Sequence, residues 1–273
     1  MIIDITNNCD MQCPHCMQRS EPGNHLMMDM ATFILAVNFA NNLKATVIML
    51  SGGEPTLHPQ LRTFVEILQG SKEEFPTRVV FLLSNGSFLL DDNKRETIRK
   101  LIIDKKLNGI QITSVPRLYK NWKDVHEEYK QHKDEFKGKI MLFSDDITRM
   151  KDLGRAHDNR DMFRDDFDNS LYPSCFNGFS IIKQSGTIDD FDDTSIYMQR
   201  FCSPVVDYKG YIHVSESVCC PSFGHVYGCV YDNGKSMFDK MKNGKPCGKC
   251  YNYKKFMQRN DRRALLIKKM LHI

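Results

Sequence analysis

The sequence predicts an α/β protein built on a parallel sheet, followed by a small cysteine-rich unit. Three observations carry this expectation. Short runs of β-branched and bulky apolar residues alternate about six times with stretches of helical periodicity up to residue 183. Each intervening helix covers the sheet and brings the chain back parallel. The alternation then stops, and Cys, Gly and aromatic residues gather between positions 199 and 253. A closed barrel, a partial barrel and an open sheet all satisfy the first two observations.

The elements follow in order. Residues 1–6 (MIIDIT) form the first strand, and residues 31–39, apolar nearly all round, form a buried helix. Residues 46–50 (TVIML) form the second strand; Leu61, Phe64, Val65 and Leu68 then mark a helix by their i, i+3, i+4, i+7 spacing. Strands are expected at 79–83, 109–113, 139–143 and 179–182. Ile98, Leu101 and Ile102 define one intervening helix, and Trp122, Val125 and Tyr129 another. Residues 185–195 (SGTIDDFDDTS) read as a linker or surface loop, and 211–214 as a strand in the small unit. The expected units are 1–183, 199–253 and an amphipathic C-terminal helix over 254–273, whose basic residues lie on its solvated face.

The net charge of +4 is too small to demand nucleic acid or an anionic membrane, and neither is expected as a partner. No apolar run approaches the roughly 20 residues of a membrane span. With no leader read ahead of the first strand, ten cysteines point to the reducing cytoplasm, with thiolates used for metal rather than disulfides.

Cys9, Cys13 and Cys16 lie within eight residues, directly after the first strand. Zinc calls for a fourth ligand at hand, and His15 is the local candidate, awkwardly placed beside Cys16. An iron–sulfur cluster held by three thiolates keeps one iron open for a small molecule. The C-x3-C-x2-C spacing at this strand end resembles the signature of the radical S-adenosylmethionine (SAM) enzymes, and His15 fits a slot that is usually aromatic.

That resemblance implies a partial (β/α)6 TIM-like barrel. It implies a 4Fe–4S cluster on Cys9, Cys13 and Cys16, with SAM chelating the open iron. It further implies reductive cleavage of SAM to a 5′-deoxyadenosyl radical, which abstracts hydrogen from a substrate C–H bond. Gly52-Gly53-Glu54-Pro55 resembles the family's GGEP segment, where glycines permit close approach and a carboxylate accepts from an ammonium. Gly52, Gly53 and Glu54 are thereby expected at the methionine amino group of SAM. Ser84-Asn85-Gly86 resembles another family segment, expected at the methionine carboxylate or the ribose. Thr113 and Ser144, at the fourth and fifth strand ends, are expected at the ribose or the substrate. Gly154-Arg155-Ala156 resembles a GRA segment of relatives with extra clusters, Arg155 pairing with a carboxylate.

The remaining cysteines resemble a SPASM or shorter twitch extension. Cys202, Cys219 (or its neighbour Cys220), Cys247 and Cys250 are expected to hold one auxiliary 4Fe–4S cluster, and no cysteine follows to hold a second. A zinc ribbon competes for the same four thiolates. Cys175 and Cys229 read as core thiols.

The expected function is that of a radical SAM enzyme, an oxidoreductase or a peptide- or natural-product-modifying enzyme. Its expected partners are SAM, an electron donor such as flavodoxin or ferredoxin, and a peptide or small-molecule substrate. A chain opening on the first strand carries no preceding peptide-recognition domain, which weighs against a peptide. The competing expectation is a zinc-stabilised binding module without catalysis, which leaves the GGEP segment unexplained.

Overall fold

In the computed structural model the described residues are 1–71, 75–76, 78–104, 107–144, 154–163, 204–214, 222–232 and 234–244, with scattered positions from 254 to 269. The expected strand at 179–182, the linker at 185–195 and most of the C-terminal helix lie outside them.

Strands β1 (Ile2–Thr6), β2 (Val47–Gly52), β3 (Val79–Ser84), β4 (Gly109–Thr113) and β5 (Ile140–Phe143) are consecutive parallel neighbours. The crossovers contain α1 (Met30–Asn42), α2 (Leu61–Gly70), α3 (Asp92–Ile103) and α4 (Trp122–His132). Every residue of β1 is buried, as a strand in the middle of a covered sheet requires. Asp29 starts α1 by accepting from the Thr32 N–H at 2.8 Å, and Asp91 caps α3 in the same way.

The two faces of the sheet differ. Ile3, Ile5, Ile48, Leu50, Val80, Leu82, Ile110 and Ile112 point into the core shared with the helices. Alternation sends Ile2, Val47 and Met49 to the other face, together with Asp4, Ser51, Gln111 and Thr113. That second face is therefore more polar.

Residues of the cysteine-rich stretch extend the same sheet. β6 (Val205–Val206) pairs parallel to β1, and β7 (Tyr211–His213) and β8 (Gly224–His225) follow antiparallel, giving the order β5-β4-β3-β2-β1-β6-β7-β8. Val206, Ile212, Val226 and Cys229 join the helix-side core, as do Phe238 and Met241 of a helix spanning Lys235–Asn243. A short helix, α5 (Gly154–Asp158), packs Ala156 into a satellite cluster with Val115, Leu118 and Phe163.

Candidate functional site

The loop leaving β1 carries the three cysteines, and hydrogen bonds at both ends pin it to the sheet. Asn7 N–H donates to the Leu26 carbonyl at 2.8 Å, and Met28 N–H to the Ile5 carbonyl at 2.8 Å. Cys9 is buried and Cys13 and Cys16 are half-buried, and none of the three is in a disulfide. Met11 N–H donates to the Cys9 sulfur at 3.4 Å, and Ser20 N–H donates to the Cys16 sulfur at 3.4 Å. Burial pushes the Cys9 and Cys13 thiols up to about 12. For Cys13 the neighbouring Cys16 adds to the rise, while Arg155 and Lys120 oppose it.

The end of β2 lies directly against this loop. Gly53 N–H donates to the Thr6 carbonyl and Glu54 N–H to the Asn8 carbonyl, each at 2.8 Å. A Cβ on Gly52, whose φ is +127°, would strike the Thr6 oxygen, and one on Gly53 would strike that of Asn8. The paired glycines thus serve a backbone-to-backbone contact that seats the cysteine loop, a use that the sequence pattern did not reveal.

Glu54 is fully buried and looks inward. Its Oε1 accepts from Thr56 N–H (3.2 Å), Thr56 Oγ1 (2.7 Å) and Ser84 Oγ (2.9 Å), and its Oε2 from Asn85 N–H (2.8 Å). Burial nevertheless pushes its carboxyl up to about 7, with Asp10 adding to the rise against the hydrogen bonds. These four bonds match the roughly four acceptor sites that a carboxylate offers.

Ser84 and Asn85 belong to the same brace. Ser84 Oγ also accepts from Gly86 N–H at 3.0 Å. Asn85 Nδ2 donates to Asp10 Oδ1 at 2.8 Å and lies 3.8 Å from the Cys9 sulfur. Thr113 ends β4 on the opposite face, beside Phe143, and Ser144 follows β5 half-buried. The structure therefore joins Cys9, Glu54, Ser84 and Asn85 in one hydrogen-bonded group and leaves Thr113 outside it.

Beside this group lie His15, which the sequence reading named, and Tyr119 and Asp4, which it did not. His15 is buried deeply enough to lower its pKa to about 4, with Arg155 reinforcing the effect, and its Nδ1 has no hydrogen-bond partner. Its ring lies 5.1 Å from that of Tyr119, whose hydroxyl is held well above its ordinary value by burial and by the nearby cysteines. Asp4 is buried in β1 and accepts from Gln18 Nε2 at 2.7 Å. A carboxylate within an apolar strand was the available signal for it.

Arg155 pairs with the half-exposed Glu21 carboxylate at 3.6 Å. It also donates to the carbonyls of Cys13 (2.8 Å) and Ser20 (2.9 Å). Cys202, Cys219, Cys220, Cys247, Cys250 and Cys175 lie outside the described residues. Cys229 is a buried core thiol.

The donor set can be tested against the two expected metal groups. Among the described residues no group of three or more His, Cys, Asp or Glu is arranged to hold a single metal ion. Zinc needs its sulfurs about 2.3 Å from one point. A cluster binds each thiolate through a different iron, so its sulfurs stand farther apart. Three unbridged thiols on one pinned loop, two of them bonded by backbone N–H groups, are the donor type a cluster takes and supply three of the four ligands that a closed zinc site would need.

The chain is similar to known proteins in three ways. A probable GTP 3′,8-cyclase of Saccharolobus islandicus (strain L.S.2.15 / Lassen #1) is 34% identical over 90 residues, which cover 33% of this chain and 28% of that protein. An uncharacterized protein of Methanocaldococcus jannaschii is 26% identical over 127 residues, covering 45% of this chain and 43% of that protein. The match thus spans little more than a quarter of the length of the first relative. Among solved structures, BtrN in complex with AdoMet and 2-DOIA superposes with a TM-score of 0.55 at 17% identity, over 88% of this chain and 82% of that one. Native anSMEcpe with bound AdoMet and a Cp18Cys peptide gives 0.51 at 11% identity, over 96% and 84%. Both show the shared α/β fold. The model of the Radical SAM superfamily matches residues 3–105, which hold the three cysteines, the paired glycines and Glu54, and this part of the chain is a radical SAM superfamily domain.

Proposed function

We propose that the chain is a radical SAM enzyme whose 4Fe–4S cluster is held by Cys9, Cys13 and Cys16. The observation that carries this reading is the pinned three-cysteine loop, locked through its backbone to Gly53 and Glu54. When bound, the cluster supplies the electron that cleaves SAM to a 5′-deoxyadenosyl radical able to abstract hydrogen from a C–H bond.

The residues of this chain prepare the site. Cys9 and Cys13 are thiols at neutral pH when no metal is bound, so ligation releases their protons. Gly52, Gly53 and Glu54 form the wall against which the methionine end of SAM rests. Ser84 and Asn85 hold that wall in place and offer the adjoining polar surface. The face carrying Asp4, Ser51, Gln111 and Thr113, with Ser144 at its rim, is where the ribose and substrate are to be held away from water. An auxiliary cluster on Cys202, Cys219, Cys247 and Cys250 completes the reading, with residues 1–183 as catalytic unit, 199–253 as cluster unit and 254–273 as C-terminal helix. The enzyme is cytoplasmic, is reduced by a flavodoxin or ferredoxin, and acts as an oxidoreductase or on a peptide or natural product. No helix among the described residues is long and apolar enough to cross a membrane.

Anaerobic purification followed by iron and zinc analysis tests this. About four irons per chain fit the first cluster alone, and about eight fit both. Reduced protein with SAM should release 5′-deoxyadenosine, and Cys13→Ala should abolish the release. A colourless zinc protein, or a fully active Cys13→Ala variant, overturns the reading.

A further inference from the structure

The segment from Gly154 to Asn159 touches the cysteine loop through four backbone carbonyls and two ion pairs, Arg155–Glu21 and Asp158–Arg19. Arg155 Nη1 and Nη2 take those of Cys13 (2.8 Å) and Ser20 (2.9 Å), and the Arg155 N–H takes that of Cys16 (2.8 Å). Asn159 Nδ2 donates to the Pro14 carbonyl at 2.9 Å. Asp158 receives Arg19 through two bonds, of 2.8 and 2.7 Å. Gly154 has φ +57°, and a Cβ there would strike the carbonyl oxygens of Met17 and Cys16. None of these contacts involves a sulfur atom.

Such a pattern answers a physical problem. A loop with three cysteines in eight residues forms no helix or ladder; its own N–H groups reach the Cys13 and Cys16 carbonyls only at 3.2 and 3.4 Å, and carbonyls shielded from water need donors. Water could serve an exposed loop, but would leave it mobile. Arg155 is only 14% exposed at its side chain, so its guanidinium donates in place of water. A guanidinium holds its donors in a rigid fork, so it fixes two carbonyls at once and places a positive charge beside Cys13, offset only in part by the half-exposed Glu21 carboxylate at 3.6 Å. The helix itself is five residues long. Helices this short are not stable by themselves, so the segment and the loop hold each other.

We propose that residues 154–159 are a metal-independent mould for the cysteine loop, with Arg155 as its positioning residue: it holds the loop in ligating shape before any metal arrives, and its charge then favours the reduced state of whatever the three thiolates bind. The second half rests on the cluster reading; the first does not. A fixed cation stabilises an added electron in a poorly hydrated site more than it would in water.

Three variants separate the parts. Arg155→Met removes both the charge and the bonds, Arg155→Lys keeps the charge but loses the two-carbonyl fork, and Asn159→Ala removes only the bond to Pro14. In metal-free protein, amide hydrogen exchange over residues 12–20 should accelerate about tenfold or more in Arg155→Met and Arg155→Lys. Asn159→Ala should give a smaller acceleration confined to residues 13–16. Exchange in β1–β4 reports whether the fold survives. If Arg155→Met unfolds globally, the other two variants decide. Wild-type exchange in the folded variants overturns the mould.

In protein reconstituted with iron and sulfide, the midpoint potential read by electron paramagnetic resonance should fall in Arg155→Met and stay near wild type in Arg155→Lys. An unchanged potential in Arg155→Met overturns the role of the charge. A chain that takes up no iron defeats the proposed function, yet leaves the exchange result standing.

Discussion

Glu54 shows how much a single residue can hold. Its carboxyl is fully buried, with four donors aimed at it from the ends of β2 and β3. Burial outweighs those donors and pushes it up from 4.5 to about 7. Between these values folding takes up a proton, so this contribution is fully present below pH 4.5 and is lost as pH rises through about 7. His15, lowered to about 4, slopes the opposite way, while the Cys9 and Cys13 thiols stay protonated in both states over this range. The difference between wild type and Glu54→Gln therefore isolates the effect. In urea denaturation of the metal-free chain under reducing conditions, wild type should lose up to about 3 kcal/mol relative to the variant between pH 4.5 and 7.5. Parallel pH curves would contradict this. The sequence marked Glu54 and the cysteines because their spacing is local. It gave no sign of Tyr119, or of what Arg155 grips, since contacts more than 100 residues apart leave no periodic trace.

At the scale of elements, Arg78 joins pieces that neither helix nor strand pairing connects. It is 1% exposed, and Nε donates to the Ala45 carbonyl (2.9 Å) while Nη1 donates to Asn41 Oδ1 (2.6 Å) and Ser71 Oγ (2.8 Å). The end of α1, the turn into β2 and the end of α2 thus meet on one guanidinium, which also lies 4.2 Å from the Phe75 ring centroid. Arg78→Met strands buried acceptors and should destabilise the chain by about 3 kcal/mol or more, read as a lower urea midpoint at unchanged slope. Helices α2 to α4 and the first five strands were legible because hydrophobic period and length agree within each segment, and α1 because it is apolar nearly all round; α5 and the helix over Lys235–Asn243 were not read. The two-residue β6 was not, being too short for a pattern. Its place beside β1 depends on pairing, which local sequence does not encode.

Across the whole molecule, one apolar core spans both expected units. Phe33 and Phe39 of α1 share it with Val206, Ile212, Val226 and Phe238, some 200 residues further along the chain. Phe238→Ala should therefore weaken the entire protein by about 3–5 kcal/mol, shifting the transitions of β1 and the C-terminal strands together. Exchange or fluorescence probes that separate into two transitions would show the units to be independent. The clamp on the cysteine loop has a similar reach, since the partners Cys13 and Arg155 are 142 positions apart. Ribosomes add about 5–20 residues per second, so that interval corresponds to roughly 7–30 s of synthesis. During that time the nascent loop is exposed with its thiols unmoulded. Whatever delivers iron and sulfide meets a finished receptacle only after residues 154–159 have emerged, so loading cannot be completed on the first half of the chain alone.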